Sequence, residues 1–148
     1  MKSEPDVFSL DQLIQDKTTW WTGVRNYQAR NFMMKDMKVG DAVLFYHSNA
    51  EPPGVAGLAE ITSLAEPDST QFDKKSEYYD PKAANTQKPI WFCTEVGKAR
   101  KFKKFVSLQD LRDNPQLKDM LVLKKGSRLS IQPVSKEDFE RVKKMGGL

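Results

Sequence analysis

Three places along the chain repeat one pattern of apolar and polar positions: an apolar residue, a serine, and a second apolar residue five positions after the first. In "FSLDQL" Ser9 is placed to cap the first-turn amides, with Gln12 reaching back and Phe8 stapling onto Leu13. In "VSLQDL" Ser107, Asp110, Val106 and Leu111 take the same places, and in "VSKEDF" so do Ser135, Asp138, Val134 and Phe139. Helices are therefore expected near 9–16, 107–113 and 135–145. The likeness stops after a few residues, so it reflects shared capping physics and not an internal repeat.

Between these starts the pattern changes to strands. "DAVLFYHS" (41–48) and "GVAGLAEITSLA" (54–65) are rich in β-branched and aromatic residues, and "NAEPPG" separates them with turn formers. "IWFCTEV" (90–96) reads as a further strand, and "RLSIQPV" (128–134) as a last one with Pro133 at its end or on an edge. Residues 66–88 form a long polar excursion holding Pro67 and Pro81; a segment of this length inside a domain is expected to be functional or partly helical. Strands alternating irregularly with short helices predict an α+β fold with a curved or barrel-like sheet and helices packed outside it.

Composition narrows the class. The chain has 148 residues, 39% hydrophobic and 30% charged, which suits one globular domain spanning 1–148. No apolar run approaches the roughly 20 residues of a membrane span, and "MKSEPDVF" lacks a signal-peptide pattern, so a cytoplasmic protein without membrane attachment is expected. The single Cys93 fits a reducing compartment as a small buried residue. A net charge of +4 permits a local basic surface to meet phosphate without naming nucleic acid.

Several chemistries are disfavoured. One His and one Cys do not make an N/S metal set, and the carboxylates of Asp11, Asp16 and Asp41 show no clustered spacing. There is no G-x-S-x-G, and "GVAG" (54–57) lacks the spacing of a nucleotide loop; it reads as a strand entry where small residues admit another backbone. No metal or cofactor is expected. In strict alternation His47 shares a face with Val43 and Phe45, which favours a hydrogen-bonded core or rim histidine; alternatively "YHSN" ends a strand at a pocket mouth.

Two stretches carry sharper chemistry. "KARKFKKF" (98–105) has basic residues on both faces, so it fits an edge, a bulge or an exposed ribbon. Lys98, Arg100, Lys101, Lys103 and Lys104 are there the candidate phosphate contacts, the alternative being a solvated face. "TTWWTGVRNYQARNF" (18–32) sets two tryptophans among Arg25, Asn26, Gln28, Arg30 and Asn31, whose polar groups are expensive to bury unpaired. A pocket reconciles the two, with Trp21 or Trp20 and Tyr27 as flat walls for an unstacked base.

"KSEP" (2–5), "WTGVRNYQARNFM" (21–33), "FYHSN" (45–49), "GVAGLAEI" (54–61), "TQFD" (70–73), "YYDP" (78–81) and "RLSIQPV" (128–134) together resemble the EVE domain family, in order along the whole chain. The resemblance implies a PUA-like pseudo-barrel, related to the YTH domains that read methylated adenine in RNA, with an aromatic-lined pocket for modified bases. Carried over by motif, the pocket residues are Trp21, Gly23, Val24, Arg25, Asn26, Tyr27 and Arg30, then Tyr46, His47 and Ser48, then Ser130, Gln132 and Pro133, with Lys2 and Ser3 beside the ligand. Family members carry a short aromatic segment before the "KSEP" motif, so a start assigned late or a short first strand is expected here.

The leading expectation is a non-catalytic, monomeric reader of a modified base in DNA or RNA. The base stacks on Trp21 and is discriminated in the region of Asn26, His47, Ser48 and Gln132. The alternatives are an enzyme acting on a nucleobase or nucleotide with His47 as acid or base, and a protein-interaction module using the basic strand and the 66–89 excursion.

Overall fold

A computed structural model describes residues 1–126 and 128–148. Five strands form one mixed sheet: β1 (Lys2–Ser3), β2 (Thr18–Trp20), β3 (Ala42–His47), β4 (Gly54–Pro67) and β5 (Phe92–Ser107). Their order across the sheet is β1-β3-β4-β5-β2, with β1 parallel to β3 and the other pairs antiparallel. The helices are α1 (Leu10–Asp16), α2 (Tyr27–Asn31), α3 (Pro81–Thr86), α4 (Leu108–Asp113) and α5 (Lys136–Met145), and a π-helical turn at Phe32–Asp36 continues α2. This is the expected α+β fold.

Both faces of the sheet are covered, which explains why β3 and β4 read as nearly continuous apolar runs. Val43 and Phe45 of β3 join one buried cluster with Leu10, Leu13, Trp21 and Met33, while Leu44 and Tyr46 join another with Phe102, Leu111 and Val142. The expectation for "GVAG" holds: a Cβ on Gly57 would collide with the backbone carbonyl of Arg100 and approach Leu10 within 2.6 Å. Repeated register shifts between β4 and β5 curl the sheet, because each extra residue bends its strand and increases the local twist.

All three predicted helices form, and their caps differ in detail. Ser9, Ser107 and Ser135 each accept the amide three residues on. Only at Ser107 is the box reciprocal, with Asp110 accepting the Ser107 amide; Gln12 does not reach back but donates to Asp16. The excursion is partly helical, as expected, through a 3-10 turn at Ser69–Phe72 and α3. Residues 128–134 do not form the predicted strand. Ile131 is buried as its apolar character requires, but among the described residues the backbone there makes one bridge to the sheet, the Ser130 carbonyl accepting from the Lys2 amide, and Pro133 has no N–H to extend a ladder.

The predicted strand at 90–96 is only the first part of β5, which continues through the basic run. β2 pairs only with Glu95, Val96 and Gly97, so beyond Gly97 the basic half has β4 on one side and no strand on the other among the described residues. It is an edge and a bulge at once, as its two-faced charge requires.

Candidate functional site

Beside β2 lies an open cleft of about 660 Å³, bordered by Lys2, Ser3, Phe8, Trp20, Trp21 and Tyr78 among others. Its size falls within the roughly 300–1,000 Å³ of small-molecule sites. The two tryptophans differ. Trp21 is 9% exposed and packs edge-on against Phe45 and Phe8, at ring separations of 5.6 and 6.5 Å, so it is core and cleft floor together. Its indole N–H has no partner, and no buried side-chain N or O among the described residues is left unpaired, so this N–H meets solvent. Trp20 is half-buried on the edge strand and makes no ring contact or side-chain hydrogen bond among the described residues.

The polar residues that follow build the wall. Gly23 has φ +86°, and its amide donates to Asp68 at 2.9 Å. Arg25 donates to the carbonyl oxygens of Tyr78 (2.8 Å) and Val24 (3.0 Å), to Thr70 Oγ1 (3.0 Å) and to Asp68 Oδ2 (3.1 Å). Its guanidinium also stacks 5.5 Å from the Tyr78 ring and 5.4 Å from Trp91. Beyond Trp91, Tyr27 lies 4.8 Å away and Arg30 sits 4.8 Å over Tyr27 while donating to the Ile90 carbonyl. Tyr78, Arg25, Trp91, Tyr27 and Arg30 thus form one continuous stack that docks the excursion against the tryptophan loop.

Asp68 is fully buried. Burial alone would raise its carboxyl, but hydrogen bonds from Thr70, the Gly23 amide and Arg25 hold it below the usual carboxylate range. Asp80 accepts the Trp91 indole N–H at 2.7 Å and caps α3; that hydrogen bond, against some burial, also keeps its carboxyl low. Sequence reading missed Asp68, Tyr78, Asp80 and Trp91. The available signal was "YYDP": an Asp before Pro81 is an N-cap.

The other predicted site residues scatter. Lys2, Ser3, Gly23, Val24, Arg25 and Ser130 line the cleft with Trp21. Asn26 is spent capping α2, its Oδ1 accepting from the Gln28 and Ala29 amides. Tyr27 and Arg30 belong to the stack. Tyr46 and Gln132 line a separate cavity of about 40 Å³ that Lys2 and Ser130 share, with the Lys2 ammonium 5.8 Å over the Tyr46 ring and lowered in pKa by burial. Pro133 borders a third opening next to Gly40 and Asp41. Ser48 donates its amide to the Ser3 carbonyl.

His47 realises the hydrogen-bonded reading. Its Nε2 accepts the Leu10 amide at 3.1 Å, so the neutral ring carries its proton on Nδ1. Burial lowers its pKa, Asp11 raises it and Lys101 lowers it further. Of the basic residues, all exposed, Lys98 pairs with Glu60 (3.6 Å) and Lys101 with Asp11 (3.2 Å), whereas Arg100, Lys103 and Lys104 make no ion pair among the described residues.

A small curled sheet with a wide aromatic-floored cleft and an exposed basic strand defines a compact binding domain. The EVE domain model matches residues 1–145, and the chain belongs to this family. It is 42% identical to human thymocyte nuclear protein 1, over 96% of this chain and 70% of that protein. A solved structure of a hypothetical protein from Leishmania major is similar at 46% identity and TM-score 0.91, over 99% of this chain and 92% of that one. A structure of the human THYN1 protein in complex with 5-methylcytosine containing DNA matches at 42% identity and TM-score 0.89, over 100% and 96%. Among the described residues no helix is long and apolar enough to cross a membrane, and no group of three or more His, Cys, Asp or Glu could hold a metal ion.

Proposed function

We propose that this domain acts as a monomeric, non-catalytic reader of a modified base, a modified cytosine in DNA or RNA, taken into the cleft beside Trp20 and Trp21. The observation that carries the reading is the cleft itself: one unpartnered tryptophan on its border and one rigidly packed tryptophan on its floor with a free N–H. A base presents a π-face to the first and acceptor atoms to the second, and base stacking contributes about 1–3 kcal/mol. The similarity to THYN1, solved with 5-methylcytosine containing DNA, supports the ligand class. Binding is favoured over catalysis because the one histidine has its free lone pair occupied by the Leu10 amide. The buried Cys93 thiol, pushed up to about 12 chiefly by burial, suits a reducing interior such as the cytoplasm.

The test is equilibrium binding to short DNA and RNA strands that differ by one modified base, at two salt concentrations, with wild type, Trp20→Ala and Trp21→Phe. Trp21→Phe keeps most of the core contact and removes the N–H. The expected outcome is a preference for one modified base that persists at higher salt and falls in both variants. Uniform, salt-labile binding unaffected by either variant overturns the reading.

A further inference from the structure

The base cleft leaves unexplained why Phe105, an apolar side chain 36% exposed, stands at the end of the basic run of β5. The answer starts from the register. While β4 advances two residues from Val55 to Gly57, β5 runs five from Val106 back to Lys101. The surplus residues leave the ladder. Phe102 turns inward and is 5% exposed in the cluster that holds Val142, whereas Lys103, Lys104 and Phe105 turn to solvent. The bulge is pinned from outside by the Lys104 amide donating to the Gly146 carbonyl at 3.1 Å, so its outward side chains are held on ordered backbone.

Phe105 does not stand alone. Its ring centroid lies 6.4 Å from that of His47, at 39° between planes, and His47 is in turn fixed by its bond from the Leu10 amide and by edge contact with Phe45. Two neighbouring rings thus form a small platform. Arg100, Lys103 and Lys104 on the same strand are exposed and uncommitted, and Lys101 is held only in an exposed pair with Asp11. The platform adjoins the cleft through Ser3, which borders the cleft and is the register partner of His47 across β1 and β3.

We propose that Phe105 and His47 form a second stacking site, for a nucleotide flanking the one in the cleft of a single-stranded segment, with Arg100, Lys103 and Lys104 on its phosphates. The proposal rests on the reading of the cleft as a base site and adds the path of the strand away from it. An exposed aromatic on a strand that also carries unpaired cations matches the alternation of π-face and phosphate along an unstacked strand. Double-stranded nucleic acid has no free base face to offer and is a poorer occupant.

The test uses the full chain and a set of short single strands, each with 5-methylcytosine or cytosine at one position and with either a base or an abasic unit at each neighbouring position. Wild type is expected to lose about 5- to 150-fold in affinity when the neighbouring base on one side is removed, the range that stacking of one base gives. Phe105→Ala is expected to lose the same factor on the complete strand and to become indifferent to the abasic unit, with its ratio of modified to unmodified binding unchanged. Phe105→Tyr restores the loss and Phe105→Leu does not, which separates stacking from mere apolar packing. Arg100→Gln and Lys103→Gln each reduce the slope of log affinity against log salt by about 0.7, the single-strand value per phosphate. Equal response of wild type and Phe105→Ala to the abasic unit overturns the proposal. If wild type shows no preference for 5-methylcytosine yet Phe105→Ala removes the effect of the neighbouring base, the platform stands and the reading of the cleft fails.

Discussion

At Gly23 two separate demands fall on one residue. Its φ of +86° lies where a side chain is strained, and a Cβ there would come within 2.6 Å of the Tyr78 ring. Gly23→Ala is therefore expected to destabilise the fold by about 2 kcal/mol or more, read as a lower midpoint in urea denaturation with little change in slope. An unchanged midpoint would mean that Tyr78 moves freely off the loop. Arg25 shows the same economy of position. A guanidinium can serve two carbonyls, a hydroxyl and a carboxylate at once because its donors fan out in one plane, which a lysine cannot reproduce. Asp68, fully buried, keeps its charge through hydrogen bonds from Thr70 and the Gly23 amide, with Arg25 adding to them.

Among the elements, the helix starts differ in how completely they are closed. Ser107 Oγ accepts the Asp110 amide and the Asp110 carboxylate in turn accepts the Ser107 amide, whereas Gln12 does not accept from Ser9. Asp110→Ala is accordingly expected to cost about 1 kcal/mol and Gln12→Ala only a few tenths, measured side by side by chemical denaturation. Equal losses would show that the reciprocal bond adds nothing. These starts were legible in the sequence because capping is settled within four residues. β3 and the body of β4 were legible for a similar reason, since a run buried on both faces is apolar throughout. β1 and β2 were not: two and three residues long, they are strands only because Tyr46, His47, Gly97, Val96 and Glu95 lie opposite. The strand expected at 128–134 failed by the converse route: Ile131 is buried, but among the described residues the segment's backbone meets no strand partner beyond the Lys2 amide.

For the whole molecule, several groups couple the fold to acidity in the same direction, among them the Met1 ammonium, lowered to about 5 chiefly by burial, and the side chains of His47 and Asp68. Burial depresses His47 below its ordinary 6.5, and the hydrogen bonds around Asp68 depress it below its ordinary 3.8. In both cases the unfolded chain binds the proton more readily, so each contribution is complete above the unfolded pKa and is lost as pH falls through the folded one. Melting temperature is thus expected to decline with acid, in a first stage that is under way below about 6.5 and shallower in His47→Gln, and in a second below 3.8. A melting curve flat from neutral pH down to the carboxylate range would contradict the first stage.

The site was legible to the extent that it is local. The run from Trp21 to Arg25 does border the cleft, but the partners that organise it, Asp68 and Tyr78, stand 43 and 53 positions from Arg25 and no spacing announces them. That arrangement has an evolutionary corollary. The excursion is moored by the side chains of Asp68 and Thr70 and, at Tyr78, through a carbonyl oxygen, which every residue type carries. With Asp68 and Thr70 kept, Arg25 would hold the same rope whatever side chain hung from position 78. A lineage can therefore exchange the wall of the cleft, Tyr78 included, and sample new ligands, while the knot that ties the loop to the body stays fastened.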